Sequence, residues 1–512
     1  METVSNEWKQ AQLETIVPVS FIEIKYNVGD PDSQADVSPT GTQSEYSNIS
    51  ETVTQYTPKK YAFLEHNMWD LDGSCELLSV KPAIDIGYIS PDISDGEGVF
   101  ANPQILNLTF TKVFTKPIPG ITIQWSTVFN EYATDFTITA YNGTTVSSTI
   151  NITDNKETIS NVSLEINNYN KIEIKINKWS TPLRKARIED ILVGIEKIFS
   201  KTDLMTYSHE QYADILSADL PKNSVVFEID NVSEEWNPDN PSAVYKYLIE
   251  RQEITVKYGY KINDSIEWIK AGTFYMSEWS TPQNGITAKF TARDLIEFMN
   301  DKFVPSKTTY TLSELAIEAL KQANLPLNED DTTKWILDTS LSQITITLPD
   351  NFNHTIAETI QLIAHRGRCV MYQDRAGQLH IEPINNTLTD YIINRFNSYK
   401  NAEYEITKEL KSVDVNDGMG TATNSATGEI QTVKNELITD ATAANNIATW
   451  IKDTLKHRKL VKGEFRADPR LDALDTITVV NKFASNKVIV TNVKYEYKGS
   501  FNGTYEGRAI DG

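Results

Sequence analysis

Acidic side chains are the first residues of this 512-residue sequence whose spacing suggests chemistry. Asp70 and Asp72 stand in an Asp-Leu-Asp-Gly run, and Asp92 and Asp95 precede a Gly-Glu-Gly run. Such loops supply the carboxylate oxygens that Ca²⁺ prefers, although neither has the spacing of a twelve-residue EF-hand loop. We therefore expect either a calcium ion bound by these four aspartates or two solvated turns.

Aromatic side chains form a second candidate site. The residues concerned are Trp125, Tyr132, Tyr141 and Trp179. Exposed aromatic faces stack on sugar rings, whereas aromatic residues inside a β-sandwich fill its core. The first reading predicts a carbohydrate-binding surface, the second a packed interior, and the sequence leaves both open.

Sequence patterns of catalysis are missing from the chain. There is no Gly-x-Ser-x-Gly, no His-Glu-x-x-His and no phosphate-binding glycine loop, and the 6 histidines show no metal-ligand spacing. Cys75 and Cys369 are too far apart in sequence to indicate a disulfide framework or a zinc site. We therefore expect no enzymatic activity.

The composition is that of a folded chain with several domains. Hydrophobic residues make up 40% and charged residues 23% of the sequence. No apolar stretch approaches the roughly 20 residues that span a bilayer, and residues 1–7 lack the basic start and apolar run of a signal peptide. The net charge of −22 argues against a nucleic-acid-binding surface, which needs clustered Lys and Arg.

The first part of the chain predicts a strand, a linker and a β-sandwich. Residues 1–58 hold a β-rich opening run and then a polar tract, 29–55, which reads as a long loop or linker. Short alternating runs at a spacing near ten residues predict an inserted all-β sandwich over residues 59–198.

Residues 199–305 predict a small antiparallel barrel. Ile254, Val256 and Tyr258 alternate with polar residues, as in a half-buried strand. Asn284-Gly285 lies between two further alternating runs and is a strong hairpin signal, because both residues tolerate positive φ.

An α+β domain is predicted over residues 306–384. Capping boxes that begin at Thr311 and Thr355 each open a helix. Two short apolar runs on either side of residues 374–377 predict a hairpin.

Residues 385–512 predict a second small β-barrel. The region includes a polar, flexible excursion over residues 416–428 and one inserted helix, 441–457, with Asp440 as its N-cap.

Two longer patterns resemble known families. Residues 228–299 run from a strand through an Asn-Pro-rich loop, a strand ending in Tyr-Gly, Gly-Thr-Phe-Tyr and an Asn-Gly hairpin to Ala-Arg-Asp. This order, with the Asp-Pro-Arg-Leu-Asp and Tyr-Lys-Gly-Ser-Phe-Asn-Gly runs after residue 467, resembles the tail-hub or tail-tip proteins of phages and prophages of Gram-positive bacteria. Residues 119–126, 169–174 and 186–191 resemble a discoidin-type or galactose-binding-like jelly roll.

The tail-hub resemblance implies a fold class and partners. The fold would be mainly β, with two small β-barrel hub domains joined by the α+β domain and a β-sandwich (jelly roll) inserted in the first barrel. Three copies would form a ring at the tail tip or baseplate of a virion. The partners would be a distal tail or tail-tube protein, a spike, fibre or other tail-tip protein, and host cell-surface carbohydrate at the jelly roll. The acidic charge then has two readings, solubility or a channel through which DNA passes without adhering.

A function of a different class is a cell-wall-degrading tail lysin whose jelly roll binds carbohydrate. Tail-tip proteins of that kind carry a hydrolase after the hub, and no catalytic motif follows the second barrel here. We therefore expect a structural protein.

Overall fold

A computed structural model describes residues 1–14, 16–54, 56–70, 72–78, 80–240, 243–282, 286–323, 325 and 334–510. The chain forms two compact units, and each unit is built from separated segments. Unit 1 contains Met1–Ile24, Phe199–Ser233 and Ile254–Gly512, whereas unit 2 contains Lys25–Ile198 and Glu234–Glu253.

The α-helices are short and few. They are α1 Asn6–Ala11, α2 Pro31–Asp36, α3 Leu312–Gln322, α4 Ile356–Gly367 and α5 Ala441–Leu455. Single 3-10 turns occur at Ile49–Val53, Val244–Tyr247, Leu295–Phe298 and Thr339–Gln343. In the part of the chain that the structure describes, no helix is long and apolar enough to cross a membrane.

Strands dominate both units, and the predicted mainly β fold is confirmed. The strands before residue 201 are β1 Ser20–Gly29, β2 Ser38–Gly41, β3 Tyr88–Ile93, β4 Val99–Phe114, β5 Ile118–Gln124, β6 Ala133–Asn142, β7 Thr145–Ile152, β8 Ile159–Ile166, β9 Tyr169–Trp179, β10 Lys185–Ile188, β11 Asp190–Leu192 and β12 Gly194–Ser200. The next are β13 Leu204–Tyr212, β14 Lys222–Asp230, β15 Glu253–Ile262, β16 Ser265–Ser280, β17 Thr287–Arg293, β18 Thr309–Thr311, β19 Trp335–Leu337, β20 Thr345–Thr347, β21 Val370–Gln373 and β22 Leu379–Glu382. The remainder are β23 Leu388–Ile393, β24 Glu403–Ile406, β25 Leu410–Val415, β26 Gly420–Thr423, β27 Glu429–Val433, β28 Lys459–Phe465, β29 Thr476–Val480, β30 Ser485–Tyr497 and β31 Phe501–Ala509.

One continuous sheet joins the two predicted barrel regions of unit 1. Its order is β15-β16-β17-β14-β13-β30-β31-β28-β24, with β29 beside β30 and β23 beside β29. Strands β13 and β30 are antiparallel, with Tyr207 opposite Tyr497 and Tyr212 opposite Asn492. The sequence predicts two separate barrels, whereas the structure continues their backbone hydrogen bonding across this pair. The predicted turn at residues 283–285 lies outside the described residues, although β16 and β17 on either side of it pair antiparallel.

Aromatic side chains form a core on one face of this sheet, because every second residue of a strand points to the same face. Phe227 of β14 stacks on Phe290 of β17, with ring centroids 5.1 Å apart. Tyr258 of β15 meets Phe501 of β31 edge to face at 4.8 Å, so the core connects strands that are far apart in sequence. Paired aromatic rings of this kind add stability beyond the area they bury.

The segment between the two barrel regions has the predicted helices. In α3 and α4 the N-cap side chains of Thr311 and Thr355 accept hydrogen bonds from the third helical residue, whose Glu side chain bonds back to the cap. Both predicted capping boxes are present. The predicted hairpin is β21–β22, and Gly377 in its turn has φ of 94°, a conformation that glycine adopts without strain.

The predicted flexible excursion over residues 416–428 is instead part of a small sheet, with order β26-β25-β27. Helix α5, which begins after its predicted N-cap Asp440, packs on this sheet. Gly420 allows the close approach, because a Cβ atom there would lie 2.5 Å from the Cβ of Ala444. The sequence shows polar composition here but not this contact.

A brace around Arg375 joins the hairpin to the large sheet of unit 1. The buried guanidinium donates from Nε to the Asp472 carboxylate at 2.9 Å, from Nη1 to Lys270 O at 2.8 Å and from Nη2 to Pro469 O at 2.8 Å. The Lys270 and Pro469 carbonyls come from the first and second predicted barrel regions, so one side chain ties three parts of unit 1 together.

The first residues of unit 1 form a clasp, residues 1–11. Trp8 of α1 is fully buried, meets Tyr260 edge to face at 5.0 Å and donates through Nε1 to Asp468 at 3.2 Å. Ser5 N–H donates to the Glu267 carboxylate at 2.8 Å. The clasp therefore contacts two strands of the first predicted barrel region and the loop between β28 and β29 of the second.

Unit 2 is a two-sheet β-sandwich. One sheet has the order β2-β4-β9-β6-β7 and the other β11-β5-β8, while β3 and β10 form a separate pair. Leu106, Ile138 and Ile174 of the larger sheet share a buried core with Ile123 and Val162 of the smaller one. The predicted all-β character of this region is therefore observed.

The polar tract of residues 29–55 differs from the predicted linker, because it is folded within unit 2. Strand β2 pairs with β4, and the Glu51 carboxylate accepts hydrogen bonds from the backbone N–H groups of Asp85, Ile86 and Gly87 at 2.9–3.0 Å. Val37 is part of the sandwich core, and Ile49 and Val53 pack against it. These few apolar residues are widely spaced among polar ones, which is why the composition suggests a linker.

The Asn-Pro-rich segment also differs from its predicted place in the first barrel, since residues 234–253 belong to unit 2. The ring of Trp236 stacks on Tyr26, with centroids 6.1 Å apart. Lys246 and Tyr247 each donate to the Glu165 carboxylate at 2.7 Å.

Candidate assembly surface

The two candidate tryptophans are core residues of the sandwich. Trp125 and Trp179 are 0% and 1% exposed, and their rings meet edge to face at 6.0 Å. Their indole N–H groups donate to Ser160 Oγ at 2.8 Å and to Glu131 Oε2 at 2.9 Å. The sugar-stacking expectation is therefore corrected for both, because neither presents a ring face to solvent.

The two candidate tyrosines are half-buried and far apart. Tyr132 precedes β6 and packs against the sandwich core, whereas Tyr141 is near the other end of that strand. A strand rises about 3.3 Å per residue, so the two lie roughly 30 Å apart. Lys171 Nζ covers the Tyr141 ring at 4.7 Å from its centroid. The four aromatic residues do not form one surface.

The first pair of candidate aspartates is bound to nearby protein groups. Asp70 forms an ion pair with Lys60. Asp72 accepts hydrogen bonds from Ser74 Oγ at 2.6 Å and from Ser74 N–H at 2.9 Å, and these bonds lower the pKa of Asp72. Both Ser74 bonds go to Asp72 Oδ1, and Lys60 pairs with Asp70 Oδ2, so each aspartate has one oxygen bound to a protein group.

The second pair is likewise occupied locally. Asp95 accepts from the N–H groups of Val99 at 2.8 Å and Glu97 at 2.9 Å, which lowers the pKa of Asp95. Asp92 accepts from Gln104 Nε2 at 3.2 Å. Among the described residues, no three His, Cys, Asp or Glu side chains group as a metal site. Calcium binding by these four aspartates stays a prediction.

An exposed apolar surface lies instead at one edge of the unit 1 sheet. We call it the β24 patch, and it consists of Tyr404 and Ile406 of β24 with Val480 and Phe483 at the turn to which Tyr404 is hydrogen-bonded. Phe483 is 89% exposed and Ile406 is 57% exposed, values that are uncommon for large apolar side chains. Contiguous exposed apolar area marks interaction sites in soluble proteins.

Hydrogen bonds hold the patch in a fixed shape. Asn481 Nδ2 donates to Tyr404 Oη at 2.7 Å and thereby links β24 to the turn between β29 and β30. In that turn the N–H groups of Phe483 and Ala484 donate to Asn481 Oδ1 at 2.7 and 2.8 Å. Phe483 therefore stands outward on an ordered turn, and a partner would bind it at a small cost in conformational entropy.

Strand β24 is also an open edge. In the described part of the chain it pairs with β28 alone, and all four of its residues are exposed. An unpaired strand edge presents free N–H and C=O groups on which another chain can add. Charged side chains of both signs lie at the patch: Glu403 and Glu405 are exposed on β24 itself, Lys482 Nζ lies 5.3 Å from the Phe483 ring centroid, and Lys459 donates to Asn486 at 3.0 Å.

Sequence reasoning missed this surface. The available signal was Phe483, an aromatic residue in an otherwise polar Asn-Lys-Phe-Ala-Ser-Asn turn. Phe483 belongs to an apolar surface only together with Tyr404 and Ile406. These two residues lie more than seventy positions earlier in the chain and reach the turn only in the folded sheet.

Comparison with known proteins finds similar folds in phage tails. No protein-family model matches the chain, and no curated protein matches it. Solved structures do match: a 43 kDa tail protein of prophage MuSo2 from Shewanella oneidensis has 14% identity and a TM-score of 0.43 over 61% of this chain and 93% of its own. A tail protein from Neisseria meningitidis has 10% identity and a TM-score of 0.44 over 62% and 93%. A prophage tail protein from Listeria monocytogenes has 12% identity and a TM-score of 0.39 over 61% and 90%. All three are described as tail proteins.

Proposed function

We propose that this chain is a structural subunit of a phage tail or tail-like particle, a tail-tip or baseplate hub whose copies form a homotrimeric ring. The observation that carries the proposal is the β24 patch, an ordered apolar surface beside an open strand edge. The hub-like sequence pattern supports it, because its strands are β14 to β17 of the same continuous sheet.

A closed ring of three requires each copy to use two different surfaces, since a head-to-tail contact joins unlike faces. The second surface lies beside β16 and β17, where Val232, Trp279 and Ile286 are exposed. Glu278 and Asp230 flank it, whereas Lys482 and Lys459 border the β24 patch. The contact that we propose places Lys482 of the β24 patch against Glu278 of the second surface, and this pair favours contact between the two surfaces over contact of either with itself.

Further partners follow from a hub at the tail tip. A tail-tube or distal tail protein binds one side of the ring and a spike, fibre or other tail-tip protein binds the other. Unit 2 is the module that contacts carbohydrate or neighbouring tail proteins, at a surface other than the four aromatic residues considered above. The net charge of −22 suits a channel wall that DNA passes without adhering.

The test is the mass of the purified chain by light scattering. Wild type is expected at about three times the chain mass of 57.8 kDa. I406S/F483S is expected to be monomeric and folded, because it removes apolar contact area from a surface that is exposed in the single chain. The matched control is L64S, which changes a side chain of unit 2 that is 94% exposed.

A charge exchange tests which surfaces meet. K482E and E278K are each expected to weaken the trimer, and the double variant is expected to restore it. A trimer that survives I406S/F483S, or single charge variants that the double does not correct, would contradict the proposed contact. Lysis of peptidoglycan by the purified chain would contradict a purely structural role.

A further inference from the structure

Two arginines and two glutamates are buried together at one end of the unit 2 sandwich. The side chains of Arg184, Arg187, Glu65 and Glu131 are 3–7% exposed. Arg184 Nε is 3.6 Å and Arg187 Nη1 is 3.8 Å from the Glu131 carboxylate, which also accepts the Trp179 indole N–H. Removing four charged groups from water costs free energy, so a gain in stability alone does not explain why the cluster is buried.

Glu65 occupies the cluster in the way that a bound carboxylate would. One of its oxygens receives a charged hydrogen bond from Arg187 Nη2, and the other accepts the Lys185 backbone N–H at 2.8 Å. Two rings cover the Arg187 guanidinium: that of Phe63, two residues before Glu65, at 5.0 Å from its centroid, and that of Phe129 at 5.5 Å. A guanidinium and a backbone N–H that converge on one carboxylate make a strong and directional anion site.

The segment that carries Glu65, residues 63–69, is attached to the sandwich by side chains. We call it the strap. None of its residues, all of them described, forms a backbone–backbone hydrogen bond with a sandwich strand. Arg184 Nη2 also donates to Asn67 O at 2.6 Å, and Arg187 Nη2 donates to Met68 Sδ at 3.4 Å. Leu64 is 94% exposed and Trp69 is 48% exposed, whereas Met68 is 2% exposed and Phe63 is partly buried, so the strap buries only part of its apolar surface.

Arg184 also has hydrogen-bonding capacity that the strap does not use. Its Nε and Nη1 atoms are buried and have no hydrogen-bond partner among the described residues. A buried donor without an acceptor costs free energy, and such groups in folded proteins call for a specific cause. An acceptor-rich ligand in this position would satisfy them.

We propose that the end of the sandwich is a binding cleft for small organic carboxylates, and that the strap fills it with Glu65 as an internal ligand. Arg187 and the Lys185 N–H bind the carboxylate, Phe129 covers the guanidinium, and Arg184 supplies the spare donors. The strap competes with external ligand at the high effective concentration of a tethered group. This inference concerns unit 2 alone and does not depend on the hub function.

Chemical rescue of E65A tests the cleft on the full chain. The substitution removes the internal carboxylate and leaves Arg187 without its partner, so we expect the melting temperature to fall by on the order of 10 °C. Sodium acetate, and separately sodium glucuronate, are expected to raise it again with saturation. Sodium chloride of equal ionic strength and neutral glucose are expected to leave it unchanged.

Two controls separate the cleft from a general salt effect. E65Q keeps the side-chain volume, so no space for acetate is created and no rescue is expected. E97A changes an exposed acidic residue of the same unit, and neither acetate nor glucuronate should raise its melting temperature. If E65A is insoluble, it is refolded in acetate and in chloride, and recovery in acetate alone supports the cleft. Equal effects of chloride and carboxylates, or none from either carboxylate, would overturn it.

Discussion

His209 stands in the interior of the unit 1 sheet between two hydrogen-bond partners. Its Nδ1 lies 2.8 Å from Tyr258 Oη, and its Nε2 lies 2.8 Å from Asn223 Oδ1. The amide oxygen of Asn223 only accepts, so Nε2 carries the proton and Nδ1 accepts from the tyrosine. Burial, opposed by the bond to Asn223, lowers the pKa of His209 to about 4.

The lowered pKa makes this histidine a source of acid sensitivity. Its contribution to stability is full above the unfolded-state pKa near 6.5 and is lost as pH falls toward the folded-state value. The wild-type protein is therefore expected to lose unfolding free energy between pH 6.5 and 4. In H209Q this loss is expected to be smaller by on the order of 3 kcal/mol. Urea unfolding at a series of pH values measures the unfolding free energy of both proteins. The exposed His66 provides the control H66Q, and equal pH profiles for H209Q and wild type would refute the prediction.

Arg375 offers a second residue-scale prediction. R375M leaves the Asp472 carboxylate without its charge partner, and we expect a loss of about 3–5 kcal/mol in unfolding free energy. D472N in the same chain should recover part of that loss, because the uncompensated charge is then removed. The control R395M changes an exposed arginine and should stay within about 0.5 kcal/mol of wild type in urea unfolding. If R375M loses no more unfolding free energy than the control, the brace does not stabilise the protein.

At the scale of elements, the clasp is expected to stabilise the sheet that it contacts. W8A removes a fully buried indole together with its bond to Asp468, and we expect a loss of about 3–5 kcal/mol. L13A, just after the clasp, truncates a side chain that is 63% exposed and serves as control. Thermal and urea unfolding compare the two, and similar stabilities would show that the clasp contributes little.

Elements with a local cause could be predicted from the sequence. The boxes at Thr311 and Thr355 and the turn at Gly377 depend on residues within a few positions of one another. The polar tract of residues 29–55 was misread because its order depends on a distant contact, the Glu51 carboxylate with the backbone at residues 85–87. The burial of Trp125 and Trp179 could not be predicted either, because the solvent exposure of their rings depends on which sheet covers them.

At the scale of the whole molecule, the mainly β class was predictable but the connectivity was not. Hydrophobic periodicity identifies strands and gives no information on which strand pairs with which. The pair β13–β30 joins residues near 207 with residues near 497, a separation that no local pattern reports. The β24 patch was missed for the same reason, because Tyr404 and Phe483 come together only in the folded sheet.

That same pair has a consequence for synthesis of the protein. A chain emerging from the ribosome can pair β13 with β14 early, but the other edge of β13 stays open until residues 485–497 have been made. For nearly 300 residues of translation, a strand of nine residues with free backbone groups is available to neighbouring nascent chains. Expression at lower temperature or with chaperones should therefore raise the soluble yield, and ribosome stalling before β30 should produce aggregates.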